Sequence, residues 1–179
     1  MTMSSRFYPK ARIEIPNQKP YTLEQFLQLF FGEHPANIKV KMAKALMEEV
    51  RSRMPRGWNS EGWIQFILKV MAEEYEGAQY LLDYYDTIRW TKKKSEIPKL
   101  LEAKCFELGL TEEGERKAKG REVALFTIYK GAYSVVVRTL RNAKILKKVD
   151  GHYILSDEFE KILEGIAEFY RYWRKEKID

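Results

Sequence analysis

The residues of this 179-residue chain that can do chemistry are cations and hydrogen-bonding groups gathered in one stretch. Between Arg116 and Lys148 stand ten basic residues and one acid, Glu122, a net charge of +9 against +6 for the whole chain. The remainder is therefore mildly acidic, and the molecule is polarised rather than uniformly basic. Val136, Leu140 and Ala143, spaced four and three apart, mark a buried helix face, which leaves Ser134, Arg138, Arg141 and Asn142 on the opposite one. Such a set does non-covalent chemistry: ammonium and guanidinium groups attract phosphate and release its counterions, while arginine and serine can hydrogen-bond base edges. Lys130, Lys144, Lys147 and Lys148 are expected to hold phosphate, with His152 near it, and Ser134, Arg138, Arg141 and Tyr133 to face base edges.

These side chains need elements that aim them. Gly131 is expected to break one helix, and Tyr133 to Lys144 to form the next. Ile145 to Val149 and His152 to Leu155 are β-prone runs flanking Asp150-Gly151, a dipeptide that accepts the positive φ angles of a type I′ turn. The predicted order is helix, turn, helix, two-stranded hairpin. Gly131, Ser134, Val137, Arg138 and Leu140, followed by the apolar-basic strand and Asp150-Gly151, resemble winged helix-turn-helix DNA-binding domains over about residues 97–174. The resemblance implies that helix 133–144 enters the major groove of double-stranded DNA, that the hairpin 145–155 is a wing against the backbone, and that the protein regulates transcription. A plasmid or viral replication or maintenance factor would use the same equipment. From another class, a winged helix can serve as a protein–protein interaction module, although docking alone has no need of a +9 stretch.

Catalysis finds little to stand on. Histidine occurs twice, at His34 and His152, and no cysteine or carboxylate spacing resembles a zinc site. There is no glycine-rich phosphate loop or nucleophile elbow, and Glu48-Glu49 and Glu73-Glu74 are adjacent helical residues that point in different directions. The expectation is a non-enzyme with no catalytic residue, metal or cofactor; a nuclease assay with magnesium addresses the residual alternative. The lone Cys105 is expected in the core of a protein from a reducing compartment. No leader is visible and no apolar run approaches the roughly 20 residues of a membrane span, so a soluble cytoplasmic protein is predicted. Abundant Lys and Glu with few Gln suits a heat-adapted source.

The fold expected is mostly α: an arm over 1–20 with an extended piece at Arg12–Ile15, a helical bundle over 21–91, a winged helix over 97–156, and a C-terminal helix in 157–179. Thr22 with Gln25 forms a capping box for the first helix, and Asn37 caps a helix from Ile38 to Met54. Ser60 caps a long apolar-aromatic segment, Glu61 to Trp90, divided at Gly77, and the tryptophans of Gly57–Trp63 are expected to pack in a corner between helices. Thr91–Lys94, with Ser95 and Pro98, reads as a linker whose lysines are solvated or touch phosphate. Ile97–Leu108 reads as a helix ended by Gly109, and Thr111 as the start of another, running toward Gly120 or through it to Tyr129. The closing helix, Asp157 to about Arg174, has a broad apolar face expected to cover the winged-helix core in part and to pair two chains as a homodimer; the bundle offers a second dimer surface.

Overall fold

The computed structural model describes residues 22–32, 34, 37–113 and 121–175. The predicted arm and the cations Arg116, Lys117 and Lys119 lie outside them. The described residues are mostly helical with a small antiparallel sheet.

Helix α1 (Leu23–Phe31) starts on the expected capping box, in which Thr22 Oγ1 accepts from the Gln25 amide at 3.2 Å and Gln25 Oε1 accepts from the Thr22 amide at 3.1 Å. Asn37 caps α2 (Ile38–Ser52) through the Lys39 amide, while its Nδ2 donates to the Phe31 carbonyl at 2.6 Å, so one side chain joins the end of α1 to the start of α2. After β1 (Trp58–Asn59) and a 3-10 turn, the aromatic segment divides at Gly77 into α3 (Trp63–Ala72) and α4 (Ala78–Ile88). α3 is buried on most of its circumference, with Ile64, Phe66, Ile67, Leu68, Val70 and Met71 all in the core. α5 (Ile97–Glu107) then buries Ile97, Leu101 and Cys105, and Gly109 ends it at φ +67°.

Thr111 does not begin a helix. It begins β2 (Thr111–Glu113), which pairs antiparallel with β3 (Glu122–Ala124) in the register Thr111↔Ala124. The run from Thr111 to Gly120 has almost no apolar residue to bury at helical spacing, so pairing with Val123-Ala124 is the better use of its backbone.

The expected break at Gly131 is absent as well. α6 (Leu125–Asn142) runs uninterrupted, burying Leu125, Phe126, Tyr129, Ala132, Tyr133, Val136, Val137 and Leu140. That stripe keeps its period across Gly131, which sits on the exposed side. An interior glycine costs about 0.5–1 kcal/mol against alanine, whereas each large apolar side chain buried on the far face contributes about 1.5–3 kcal/mol. Burial wins, and the turn has no reason to form. A Cβ at Gly131 would meet nothing within 4 Å. Gly131→Ala should therefore raise the unfolding free energy by about 0.5–1 kcal/mol, read as a higher urea midpoint with an unchanged slope.

The hairpin forms as predicted. β4 (Leu146–Val149) pairs with β5 (His152–Leu155), Lys148 opposite Tyr153 and Val149 opposite His152. Asp150 and Gly151 turn at φ 46° and 81°, the two positive angles of a type I′ turn. β1 adds to the far side of β5, Trp58 opposite Tyr153, giving the strand order β1-β5-β4. The Ser60 amide and hydroxyl both donate to the Gly151 carbonyl, at 3.0 and 2.7 Å, and tie down the hairpin's tip. α6 packs on α2 and α3 as well as on α5, so helices from both sides of Thr91–Lys94 share one apolar core.

Ser156 caps α7 (Glu158–Lys175), its Oγ accepting from the Glu158 amide at 3.2 Å. The sequence predicts that part of the α7 face covers the winged-helix core. Instead Phe159 packs on α1, 5.8 Å from the Phe26 ring and 6.3 Å from Phe30, and Ile162, Leu163, Ile166, Phe169 and Tyr172 stay exposed.

Candidate nucleic-acid interface

Because α6 buries one face, its other face is a stripe set by helical spacing: Gly131, Ser134, Arg138 and Arg141 stand three, four and three residues apart and are all exposed. The helix then stops in a Schellman arrangement. The Ile145 amide donates to the Leu140 carbonyl at 2.9 Å, the Lys144 amide to the Arg141 carbonyl at 3.0 Å, and Lys144 takes the left-handed position at φ 61°. The reversal delivers the chain directly into β4. Strand alternation separates Lys147 from Lys148.

Two adjoining hollows lie between this stripe and the hairpin. The larger, about 670 Å³, is lined by Tyr133, Ser134, Val137, Arg138, Arg141, Asn142, Lys144 and Tyr153. The smaller, about 410 Å³, runs over Ser60, Trp63, Lys130, Tyr133, Ser134, Lys148 and Tyr153. Among the described residues, no acidic one lines either hollow. Arg138, Arg141, Lys144 and Lys148 make no ion pair among the described residues; Lys148 lies over the Tyr153 ring, 5.6 Å from its centroid. Four cations without a carboxylate partner among the described residues leave a positive field over the groove.

Of the nine residues singled out from sequence, the groove gathers Lys130, Tyr133, Ser134, Arg138, Arg141, Lys144 and Lys148, in unequal conditions. Lys130 sits at one end, its Nζ 2.8 Å from Glu102 Oε1. The Ser134 hydroxyl donates to the Lys130 carbonyl at 3.0 Å, so towards a ligand it has acceptor lone pairs to offer. Tyr133 is buried, 8% exposed, and serves as floor: its ring stacks on Trp63 at 6.2 Å and meets Trp58 edge-on at 6.5 Å. That burial pushes its phenol pKa upward, with Tyr153 adding to it. Lys147 turns to the other side of the strand and faces Asp157 at 4.0 Å. His152 lines neither hollow; its Nδ1 is 2.9 Å from the Asp150 carbonyl, bracing the turn.

Sequence reading missed Tyr153, which lines both hollows and stacks on Trp58 at 6.2 Å and 17°. Its position between the turn dipeptide and an apolar strand end could have flagged it, but its partner Trp58 is 95 residues away in the chain. The tryptophan corner is as expected: Trp58 is buried and holds β1 against this floor. Lys94 reaches Glu61, Nζ to Oε2 3.4 Å, beside the turn that pins the hairpin.

Two local irregularities fall along α6 and its end, the second of them in this groove. Gly131 weakens α6 on its exposed stripe, and Lys144 occupies a left-handed position where glycine costs nothing. Departures from local preference gather where a protein has a use for them. Lys144→Gly should therefore raise stability by about 1 kcal/mol in thermal and urea unfolding while removing a groove cation.

Fold and groove together define a mostly helical protein with a small antiparallel sheet and an exposed cationic face on α6 and the hairpin. Among the described residues no helix is long and apolar enough to cross a membrane. No protein-family model matches the chain, and no curated protein or solved structure matches it either.

Proposed function

We propose that this protein binds double-stranded DNA in the manner of a winged helix, with the second half of α6, residues 133–142, in the major groove and the hairpin β4–β5 as a wing on the adjacent backbone. The observation that carries the reading is the joint exposure of Arg138, Arg141, Lys144 and Lys148 on one face with no ion-pair partner among the described residues. Supporting it, an α-helix about 10–12 Å across fits the roughly 12 Å major groove, and a hairpin leaving the end of that helix follows the helix-then-wing order. The reading does not need a tight helix-turn-helix, since α6 is approached through β2–β3 from α5 and braced by α2 and α3. Arg138 and Arg141 read base edges; Lys144 and Lys148 hold phosphate. Occupancy of a promoter site, excluding or recruiting polymerase, is the proposed regulatory mechanism.

Selection of bound oligonucleotides from a random duplex pool at near-physiological salt tests this directly. A shared motif is the expected result, with affinity falling steeply as salt rises. Binding that shows no sequence preference and no salt slope would remove the proposal. Within it, Lys148→Ala should weaken all duplexes alike and reduce the slope of log K against log salt by about 1, measured by fluorescence anisotropy.

A further inference from the structure

The apolar face of α7 has the spacing of a helix seam. Phe159, Ile162, Ile166 and Phe169 stand three, four and three residues apart, and Trp173 continues the series in the sequence. Only the first of these described side chains joins the core. Ile162 is 44% exposed, Ile166 60% and Phe169 69%, large apolar groups on successive turns that none of the described residues covers. Monomeric surfaces rarely carry a continuous apolar strip of this kind.

The charges beside the strip say what fits it. From Asp157 to Glu168 the helix carries Asp157, Glu158, Glu160, Glu164 and Glu168 against Lys161; from Phe169 to Lys175 it carries Arg171, Arg174 and Lys175 and no acid. One end is therefore negative and the other positive. A parallel partner of the same sequence would set like charge beside like. An antiparallel one sets the acidic end beside the basic end twice over and opposes the two helix dipoles.

We infer that α7 pairs with α7 of a second copy of this chain, antiparallel about a twofold axis between Ile166 and Phe169. In this register Ile166 of each copy packs on Phe169 of the other, position 162 stands opposite position 173, and the stretch 160–164 runs beside 171–175. Such an interface is isologous, the same patch used by both chains. The inference rests on α7 alone and stands whether or not the groove binds DNA.

Sedimentation equilibrium of the full chain at micromolar concentration should give a dimer. Ile166→Glu with Phe169→Glu should return it to monomer with its helical circular dichroism intact, since both positions are exposed in the single chain, and with a melting temperature that no longer depends on protein concentration. Orientation is read by cross-linking: Ile162→Cys mixed with Trp173→Cys should form an inter-chain disulfide on oxidation, whereas neither variant should link to itself. In a parallel pair each would link to itself, and the mixed link would have to span 11 residues, about 16 Å along the helix, beyond the roughly 7 Å a disulfide allows between Cα atoms. Wild type that stays monomeric, a dimer indifferent to the two glutamates, or self-linking of either cysteine variant overturns the inference. So does monomeric protein co-sedimenting through this face with anionic lipid vesicles.

Discussion

Replacing Arg138 and Arg141 together by alanine is expected to lower duplex affinity by roughly 2–4 kcal/mol, on the order of 30- to 1,000-fold, and to flatten preference among sequences. The magnitude follows from two guanidinium groups that meet no carboxylate among the described residues and stand three apart on the exposed stripe of α6. Each well-aligned arginine contact to a guanine edge is worth about 1–3 kcal/mol, and neighbours on one helix face couple, so the sum is not strictly additive. Both side chains lie on the surface, and the fold should move by no more than about 0.5 kcal/mol. Anisotropy on the selected motif and on a scrambled duplex separates the two terms: specific affinity falls towards the nonspecific level, which itself falls less. Retention of full preference by this variant would falsify the placement of α6 in the groove.

The second large effect is structural. Gly57→Ala should destabilise the protein by about 3–5 kcal/mol, and Gly151→Ala by only about 1 kcal/mol. Both glycines have positive φ, +76° and +81°, so backbone strain is similar at the two sites. What differs is space. A Cβ at Gly57 would lie 2.3 Å from the Tyr153 carbonyl oxygen and 2.4 Å from Ile154 Cγ2, while one at Gly151 meets nothing within 4 Å. The Tyr153 carbonyl belongs to a strand held between β1 and β4 and cannot step aside without unpairing. Gly57→Ala thus separates β1 from β5 and takes Trp58 off Tyr153, unseating the floor of the groove. Urea unfolding of the two variants side by side measures the difference, and equal losses would mean that β1 does not approach β5 this closely. Gly57→Ala should also weaken DNA binding more than Gly151→Ala at a temperature where both are folded.

The two substitutions probe different levels of legibility. The arginines could be read from the chain because their spacing is local: residues three and four apart share a helix face whatever surrounds the helix. For the same reason the capping box at Thr22, the Asn37 cap, the division at Gly77 and the Asp150-Gly151 hairpin were all accessible from short windows. Gly131 is misleading in a short window because its local penalty is visible there, whereas the buried stripe that outweighs it extends on both sides. Thr111 is misleading in the same way, since its partner strand begins eleven residues later at Glu122, outside the local window. The demotion of Tyr133 from base contact to floor, and the turning of Lys147 to Asp157, depend on packing between distant segments.

By itself, then, the sequence determined the helical character of the chain, the position and turn type of the hairpin, and the concentration of positive charge before it, since each depends on contacts within a few residues. Tertiary structure alone decided which of the lysines join the arginines on one face, that β1 completes the sheet beneath them, and that the described residues leave most of the apolar strip of α7 uncovered. Those outcomes follow from side chains such as Trp58 and Tyr153, which lie 95 positions apart and acquire a relationship only when the core closes around them.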